Sequence, residues 1–448
     1  MWAVLLAVAL LVMSGVPARA DEPDATSIIP PRLSYVDGSV AFWRPGAEQW
    51  TPAQLNTALA PGDQLHTGHQ GTVELQVGGR AFVRAWGDSE LAVIDQAGDL
   101  LHLKVTDGHV VADLRTVEQG GIVHVETPDA IFTLDRAGYY RVDVNRRGTS
   151  LTTRRDGQVK TMRAEAGATR TVAAPALDAW DRWNQGRTDE LIQAASARHV
   201  GDGVYGVRDL DEHGDWRVLP TYGAVWVPRG APAGWAPYTT GRWVADSRFG
   251  WTWVDTAVWG WAPFHHGRWV YLDGVWAWAP GPVVARPVYA PALVAFFHAP
   301  AVRLTVTTPF VSWVALGWGE PVVPWWGRGG FVGRPSWMGW GGPHVINNVV
   351  LARKATVQAS DIRVYRNAGV NRAVVAIDPE QFGRARVEDA RVTAIDTRRL
   401  KPVHGALQVA PGAGDRGDPP APRASDVERA RPAVGARPTL PARTPKAS

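Results

Sequence analysis

A ten-residue segment that occurs twice sets the terms on which this chain can fold. Trp235-Ala-Pro-Tyr-Thr-Thr-Gly-Arg-Trp-Val244 returns 26 positions later as Trp261-Ala-Pro-Phe-His-His-Gly-Arg-Trp-Val270. A W-x-W follows each copy, first Trp251/Trp253 and then Trp276/Trp278. Spacing of two puts both rings on one side of an extended strand, and the Pro and Gly residues between them fix turns. The pattern predicts a stack of hairpins with a tryptophan ladder along one face, each repeat burying its face against a neighbour. Ala224-Val-Trp-Val-Pro228 reads as an incomplete earlier unit, a cap. Seventeen of the 23 tryptophans lie between Trp216 and Trp340, so the ladder belongs to one region. Rings of this size bury ~150–250 Å² each and gain ~0.5–1.5 kcal/mol per well-placed pair, enough to hold a small β unit without cross-links.

The rest of the chain arranges itself around that region. Residues 1–20 read as a secretory signal peptide: an apolar run from Trp2 to Val12, a break at Ser14-Gly15 and Pro17, and a small-x-small site that predicts cleavage after Ala20. Residues 21–31 form a polar linker. From 32 to 175, short apolar runs at 73–77, 81–85 and 101–105 alternate with Gly78-Gly79, Gly87-Asp88, Asp107-Gly108 and Asp156-Gly157. Turns at that rate without a helical period predict a β-sandwich or β-roll. Leu177, Trp180, Trp183, Leu191 and Ile192 keep a helical period over a connector at 176–200, with Gly186 expected to divide it in two and the Trp pair to pack on a neighbouring domain. The Trp-rich β domain occupies 201–300, and a Gly/Trp-rich loop region 301–345. A small C-terminal α/β or β segment at 346–408 has candidate strands at 349–351, 373–377 and 392–395. The tail 409–448, rich in Pro, Ala and Arg, lacks the apolar content to fold. The fold class is mainly β.

Composition excludes several functions. Lys and Arg number 47 against 43 Asp and Glu, a balance without the dense basic face of a nucleic-acid partner. With no cysteine there are no disulfides, thiolate metal sites or thiol nucleophiles. After the leader no run reaches 18 uninterrupted apolar residues, so no transmembrane helix is expected in the mature chain.

Two resemblances carry further. Residues 61–92 resemble the core of a FecR-like domain through Gly62-Asp63, Thr67-Gly68, Leu75 and Gly78-Gly79, and the likeness continues through Glu126-Thr-Pro-Asp-Ala130 and Gly148-Thr149. From about Trp180 to Phe297 the chain is similar to the Trp-rich domain of unknown function that follows FecR-like domains in some exported proteobacterial proteins. The positions that carry this include Asp209-Leu-Asp211, Gly214, Trp216, Trp226, Gly241-Arg-Trp243, Gly267-Arg-Trp269 and Tyr289-Ala-Pro-Ala292. His266 departs from the pattern, which has Tyr there. The resemblances imply an exported architecture without enzymatic activity. FecR-like domains with an assigned role signal across a membrane to a sigma-factor system.

His265-His266 suggests a metal pair, with Asp255 and Asp273 nearest in sequence, but neighbours on a strand point to opposite faces, and turn or surface histidines are the plainer reading. His66 and His69 are read the same way. Asp246 and Asp255 lie near the aromatics as a glycosidase pair might, and also as ordinary turn formers. Arg242 and Arg268 either offer a guanidinium fork to a sugar acid or brace the ladder, by cation–π contact or by pairing with Asp246 and Asp273. No nucleophile-elbow, zinc-protease or phosphate-loop motif is present. The ladder is either core or a platform for sugar faces and peptides. The ligand-binding candidates are therefore Trp235, Arg242, Trp243, Trp251, Trp253, Trp261, Arg268, Trp269, Trp276, Trp278, Trp325 and Trp326. The last two, with Trp337 and Trp340, are expected to be exposed in a glycine-rich loop. No catalytic residue, metal or cofactor is assigned. The sequence points to a non-enzymatic periplasmic or secreted protein that binds or scaffolds an envelope polymer or envelope protein. A FecR-type sensory component working with a membrane partner and a glycan hydrolase stand as alternatives.

Overall fold

Two long strands, Ala81–Ala97 and Leu100–Leu114, form the hairpin on which the N-terminal half is built. Val83, Ala85, Leu91 and Val93 alternate toward one side with Leu103, Val105 and Val110, and all are buried. That side is the core of a 13-stranded sheet running from Arg32–Asp37 to Ala168–Val172, antiparallel except where Leu100–Leu114 pairs with Ile122–Glu126 in parallel. The computed structural model describes residues 29–409 apart from short stretches, the longest being 299–309, 326–334 and 359–363. The expected leader, most of the linker and the tail beyond 409 lie outside the described residues. Among the described residues the chain is mainly β, with several antiparallel sheets and few helices.

The other side of the N-terminal sheet carries Glu74, Arg84 and Tyr139, polar groups that need partners once covered. Helix Ala179–Leu191 supplies them. It starts with a capping box, Asp178 accepting from the Asp181 backbone at 2.8 Å while Asp181 accepts from the Asp178 backbone. Its buried positions are Asp181, Asn184 and Thr188, a polar stripe. Tyr139 donates to Asp181 at 2.8 Å, and Arg84 to Thr188 at 2.9 Å. Glu74, fully buried, takes Arg84 and Arg187, each at 2.7 Å. Burial alone raises its carboxyl, yet Arg187 and Arg84 together hold it down to about 2. Trp180 and Trp183 stack on each other at 5.0 Å and pack against Trp86 and Tyr35 of the sheet. The helix is continuous through Gly186, correcting the expected division; a Cβ there would meet open space, so the glycine costs local stability without breaking the helix.

In the Trp-rich half three hairpins repeat one device. Strands Gly214–Leu219 and Gly223–Pro228 form the first, Gly241–Asp246 and Gly250–Asp255 the second, Arg268–Leu272 and Val275–Ala279 the third. Each opens on Gly-x-Trp, and its Trp faces a Trp of the returning strand: Trp216 with Trp226, Trp243 with Trp253, Trp269 with Trp278. The glycine two residues earlier lies under the second indole. A Cβ on Gly214 would come within 2.3 Å of the Trp226 ring, on Gly241 within 2.8 Å of Trp253, on Gly267 within 2.6 Å of Trp278. Residues 224–228, expected to be an incomplete unit, are thus the returning strand of a third hairpin spanning 214–228. The first and third hairpins share a four-stranded sheet, in which Trp216, Trp226, Trp278 and Trp269 stand directly opposite one another across all four strands. The second hairpin is a separate two-stranded sheet.

The surrounding segments close over these rings. Strand Val311–Ala315, in the stretch expected to be loop, is buried at every position and pairs with Val294–His298. Val375–Ile377 and Lys401–Pro402 complete that sheet, so this part of the C-terminal segment is built into the Trp-rich core. Strand Val349–Gln358 covers the first candidate at 349–351, whereas Val392 and Ile395 lie outside any strand.

Buried polar contacts bolt the halves together. Arg32 reaches Asp209 and, at 3.1 Å, Asn56; Asn56 donates to Ala257 at 2.7 Å; Arg44 is bound to Asp63 and donates to the Ala245 carbonyl at 2.8 Å; the Gly206 backbone donates to Gln76 at 2.9 Å.

The same substitution at two glycines should have opposite signs. Gly241→Ala forces a methyl against an indole and a carbonyl and is expected to cost about 1–3 kcal/mol. Gly186→Ala on the open helix face is expected to gain roughly 0.5–1 kcal/mol. Calorimetric melting of both variants against the parent checks this.

Candidate interaction site

Every candidate among the described residues is buried or half-buried. Trp243, Trp251, Trp253, Trp261, Trp269, Trp276 and Trp278 are all buried, at 7% exposure or less, and Trp235 is half-buried. Trp243 is the hub: Trp253, Phe296, Trp313, Trp325 and Phe382 surround it at centroid distances of 5.3–5.6 Å. Trp235 lies edge-on to Trp269 and Trp259, and Trp259 joins the Trp226 and Trp269 rings. Trp261 sits in a second cluster with Tyr205 and Tyr289. The ladder therefore faces inward, and these rings are core rather than platform. Trp325 corrects the expectation of exposure. It is 4% exposed because it fills the space between Trp243 and Phe296. Trp326 and Trp337 lie outside the described residues, as does the side chain of Trp340.

Of the two arginines, Arg268 is structural. Arg268 is buried, and its guanidinium donates to the Glu320 carbonyl at 2.7 and 2.9 Å and to the Gly267 carbonyl at 2.6 Å. Burial pushes it down to about 10. Its brace is a set of backbone carbonyls, whereas Asp273 is exposed at the turn of the third hairpin. Arg242 is half-buried, and its ionisation is lowered first by burial and then by Arg386 and Arg44.

The histidine pair does not lie at the surface. His265 ends a one-turn helix, Trp261–His265, where the first repeat has a turn with Tyr238 in the left-handed region. Both imidazoles are fully buried, donating from Nδ1 to the Ala290 carbonyl at 2.8 Å and the Val288 carbonyl at 3.2 Å. Burial pushes them down to about 3 and about 4, so both are neutral. No three metal-ligating side chains converge among the described residues.

Asp246 and Asp255 stand at opposite ends of the second hairpin. Asp246 is opposite Gly250 and Asp255 opposite Gly241. Five residue steps separate them along the strands, ~17 Å at strand rise. The odd step count also turns them to opposite faces. A glycosidase pair needs its carboxyls ~5–9.5 Å apart. Asp255 accepts from the Ala257 backbone at 2.9 Å and from the Trp253 indole at 3.1 Å, inside the ring cluster, and burial pushes it up to about 8.

Residues 207–320 match a family model described as a family of unknown function (DUF6600). No curated protein and no solved structure matches the chain. The DUF6600 segment takes in all three Gly-x-Trp hairpins and strand Val311–Ala315, so it extends past the Phe297 limit of the sequence resemblance to reach Glu320, whose backbone holds Arg268.

The exposed set lies on the N-terminal sheet and was not among the sequence candidates. Trp86 is 38% exposed, the one tryptophan among the described residues with more than a third of its surface open. It precedes a bulge: Trp86 is opposite His109, yet Glu90 is opposite Asp107, leaving residues 87–89 outside the ladder. Gly87 and Asp88 both take positive φ there, +58° and +52°, and bulges of this kind re-aim a side chain. Asp88 is within 3.0 Å of His69, and the Trp86 ring packs 5.7 Å from both His109 and Trp180. The Gly87-Asp88 dipeptide marked a turn in the sequence, and nothing there singled out the ring before it.

A pH dependence follows from Asp255. Neutral in the folded chain up to about 8, it ionises near ~3.9 when unfolded. Its contribution to stability is complete below the unfolded value and is lost as pH rises toward 8. Melting temperatures of the parent and Asp255→Asn between pH 5 and pH 9 should show the parent losing ground to the variant as pH rises. Parallel curves would contradict the buried neutral acid.

Proposed function

We propose that this chain is an exported, non-enzymatic scaffold of the bacterial envelope, with a FecR-like N-terminal domain, that holds an envelope polymer or envelope protein. What supports the reading most is the fate of the groups that could do chemistry. His265, His266, Asp255 and Arg268 are consumed in the interior by carbonyls, backbone amides and indoles. Asp246, also buried, accepts from Thr252 at 2.9 Å and from the Arg248 backbone at 2.8 Å. A molecule that uses its titratable residues as struts is built to keep a shape. The bolts through Arg32, Arg44, Asn56 and Gln76 serve the same end by tying the sheet to the indole core.

Export is supported by the apolar run and small-x-small site of residues 1–20; without cysteine the fold is indifferent to redox compartment. No helix among the described residues is long and apolar enough to cross a membrane. Contact with a partner then falls to the outer faces of the sheets. The FecR-like reading rests on the Gly62-Asp63 and Gly78-Gly79 pattern. In the fold Asp63 accepts from the Ala60 backbone at 2.8 Å and binds Arg44, and Gly78 leads into the turn before Ala81–Ala97.

Fractionation of cells expressing a C-terminally tagged full-length chain tests this. The expected product begins at Asp21, is found outside the cytoplasm, and sediments in part with purified envelope. An uncleaved cytoplasmic product, or an exported one with no affinity for envelope material, contradicts the proposal.

A further inference from the structure

A cleft opens where the N-terminal sheet meets the helices that lead into the Trp-rich half. Its floor belongs to the sheet: Gln76 and Phe82 stand opposite each other on neighbouring strands, and Arg80 sits in the turn that joins those strands. The Arg115 backbone donates to the Arg80 carbonyl at 3.0 Å and fixes that turn. The roof comes from the segment between Leu191 and Asp209, with helix Ala197–Val200 and the start of helix Val207–His213. The space measures about 520 Å³ with its open mouth, within the size range of small-ligand pockets. Two of the bolts between the halves, Arg32 to Asp209 and Gly206 to Gln76, stand in its wall.

Most of the lining is apolar or already engaged. Phe82, Leu191, Ile192, Val204 and Val207 form an apolar wall. Ser34 donates to Glu74 at 2.8 Å, and Glu74 is shared by Arg84 and Arg187, two cations on one carboxylate. Arg208 is divided among Glu190, Asp211 and Glu212 at 3.2–3.4 Å. Arg80 is different. It is half-buried, its Nε is buried without an acceptor, and among the described residues its guanidinium has neither a hydrogen bond nor an ion pair. A guanidinium stays charged, and a charge partly withdrawn from water calls for a partner.

We propose that this cleft binds a small aliphatic monocarboxylate, its acid group on Arg80 and its chain along the apolar wall. One unpartnered guanidinium matches one negative charge, and its fork meets both carboxylate oxygens. A polyanion would bring further charges with no unpartnered cation left to meet them. A sugar or a peptide would bring hydroxyls or amides to side chains that are already engaged, and burying such groups unpaired is costly. An occupant that touches floor and roof together stabilises the union of the two halves. The site does not depend on the envelope-binding reading above.

Titration calorimetry and thermal melting of the full mature chain with octanoate test this, with acetate as the charge without the chain and methyl octanoate as the chain without the charge. Octanoate is expected to bind saturably and to raise the melting temperature, while acetate and methyl octanoate each bind at least about tenfold more weakly. Arg80→Gln should lose about tenfold in octanoate affinity, and Arg80→Lys less, because an ammonium keeps the charge but not the fork. Ala197→Trp, which places a ring in the cleft from its roof, should abolish binding, and Tyr271→Ala, on the third hairpin, should match the parent. Arg80→Gln removes a guanidinium without partners, so without ligand it should melt with the parent and report on binding alone. Octanoate that does not bind the parent, or that binds the parent, Arg80→Gln and Ala197→Trp alike, overturns the site. Methyl octanoate binding as tightly as the acid overturns it too. Sedimentation with envelope does not require the cleft and reads the other proposal separately.

Discussion

The contact between a glycine backbone and an indole face governs the Trp-rich half of this molecule. In each of three hairpins the returning strand lays its tryptophan over the glycine that opens the first strand, and no other residue leaves that space. A hairpin alone is marginal in water. Here the indole reaches across its own hairpin, edge to face where Trp243 meets Trp253, and Trp235 and Trp313 from outside the hairpins pack edge to face on Trp269 and Trp243. Aromatic packing of this kind favours tilted, offset geometries over flat stacks, which is why the rings form a herringbone interior and not a smooth surface.

Burying so many indoles has a consequence for the groups among them. Buried indole N–H donors call for acceptors, and four rings have them: Trp226, Trp278 and Trp313 donate to the Leu210, His266 and Tyr238 carbonyls and Trp253 to the Asp255 carboxyl, whereas Trp243, Trp261 and Trp269 are buried without one. His265, His266 and Asp255, drawn into this interior, are held in their neutral forms by burial. The N-terminal half solves the opposite problem. Its sheet carries charge on the helix-covered side, and the helix answers with Asp181, Asn184, Thr188 and Arg187. Removing one partner of such a buried set leaves an uncompensated charge, which costs far more than the intact set contributes.

The sequence showed the strands, the hairpin turns and the shared side of each W-x-W, because period two and Gly/Pro punctuation are local. It left open which side faced water, since a core ladder and an exposed platform have the same spacing. The answer lay in what covers the rings: Trp313, Phe296 and Phe382, separated from the repeats by up to more than a hundred residues. Trp325 was misread for the same reason, its neighbours Gly327, Gly329 and Gly330 marking a loop while its ring goes inward. The connector's apolar period at Trp180 and Trp183 was real, but its most buried positions are polar, and only Arg84 and Tyr139 on another element explain them. Trp86 was invisible as a surface ring because its strand reads as ordinary core up to Ala85.

Hydroxyl-radical footprinting of the folded chain, read residue by residue by mass spectrometry, tests the inward ladder most directly. Trp226, Trp243, Trp253, Trp261, Trp269 and Trp278 should resist oxidation until the chain unfolds, while Trp86 is oxidised readily in the native state. Oxidation of Trp243, Trp253 or Trp278 at rates matching Trp86 would show that the ladder faces solvent and would overturn the account.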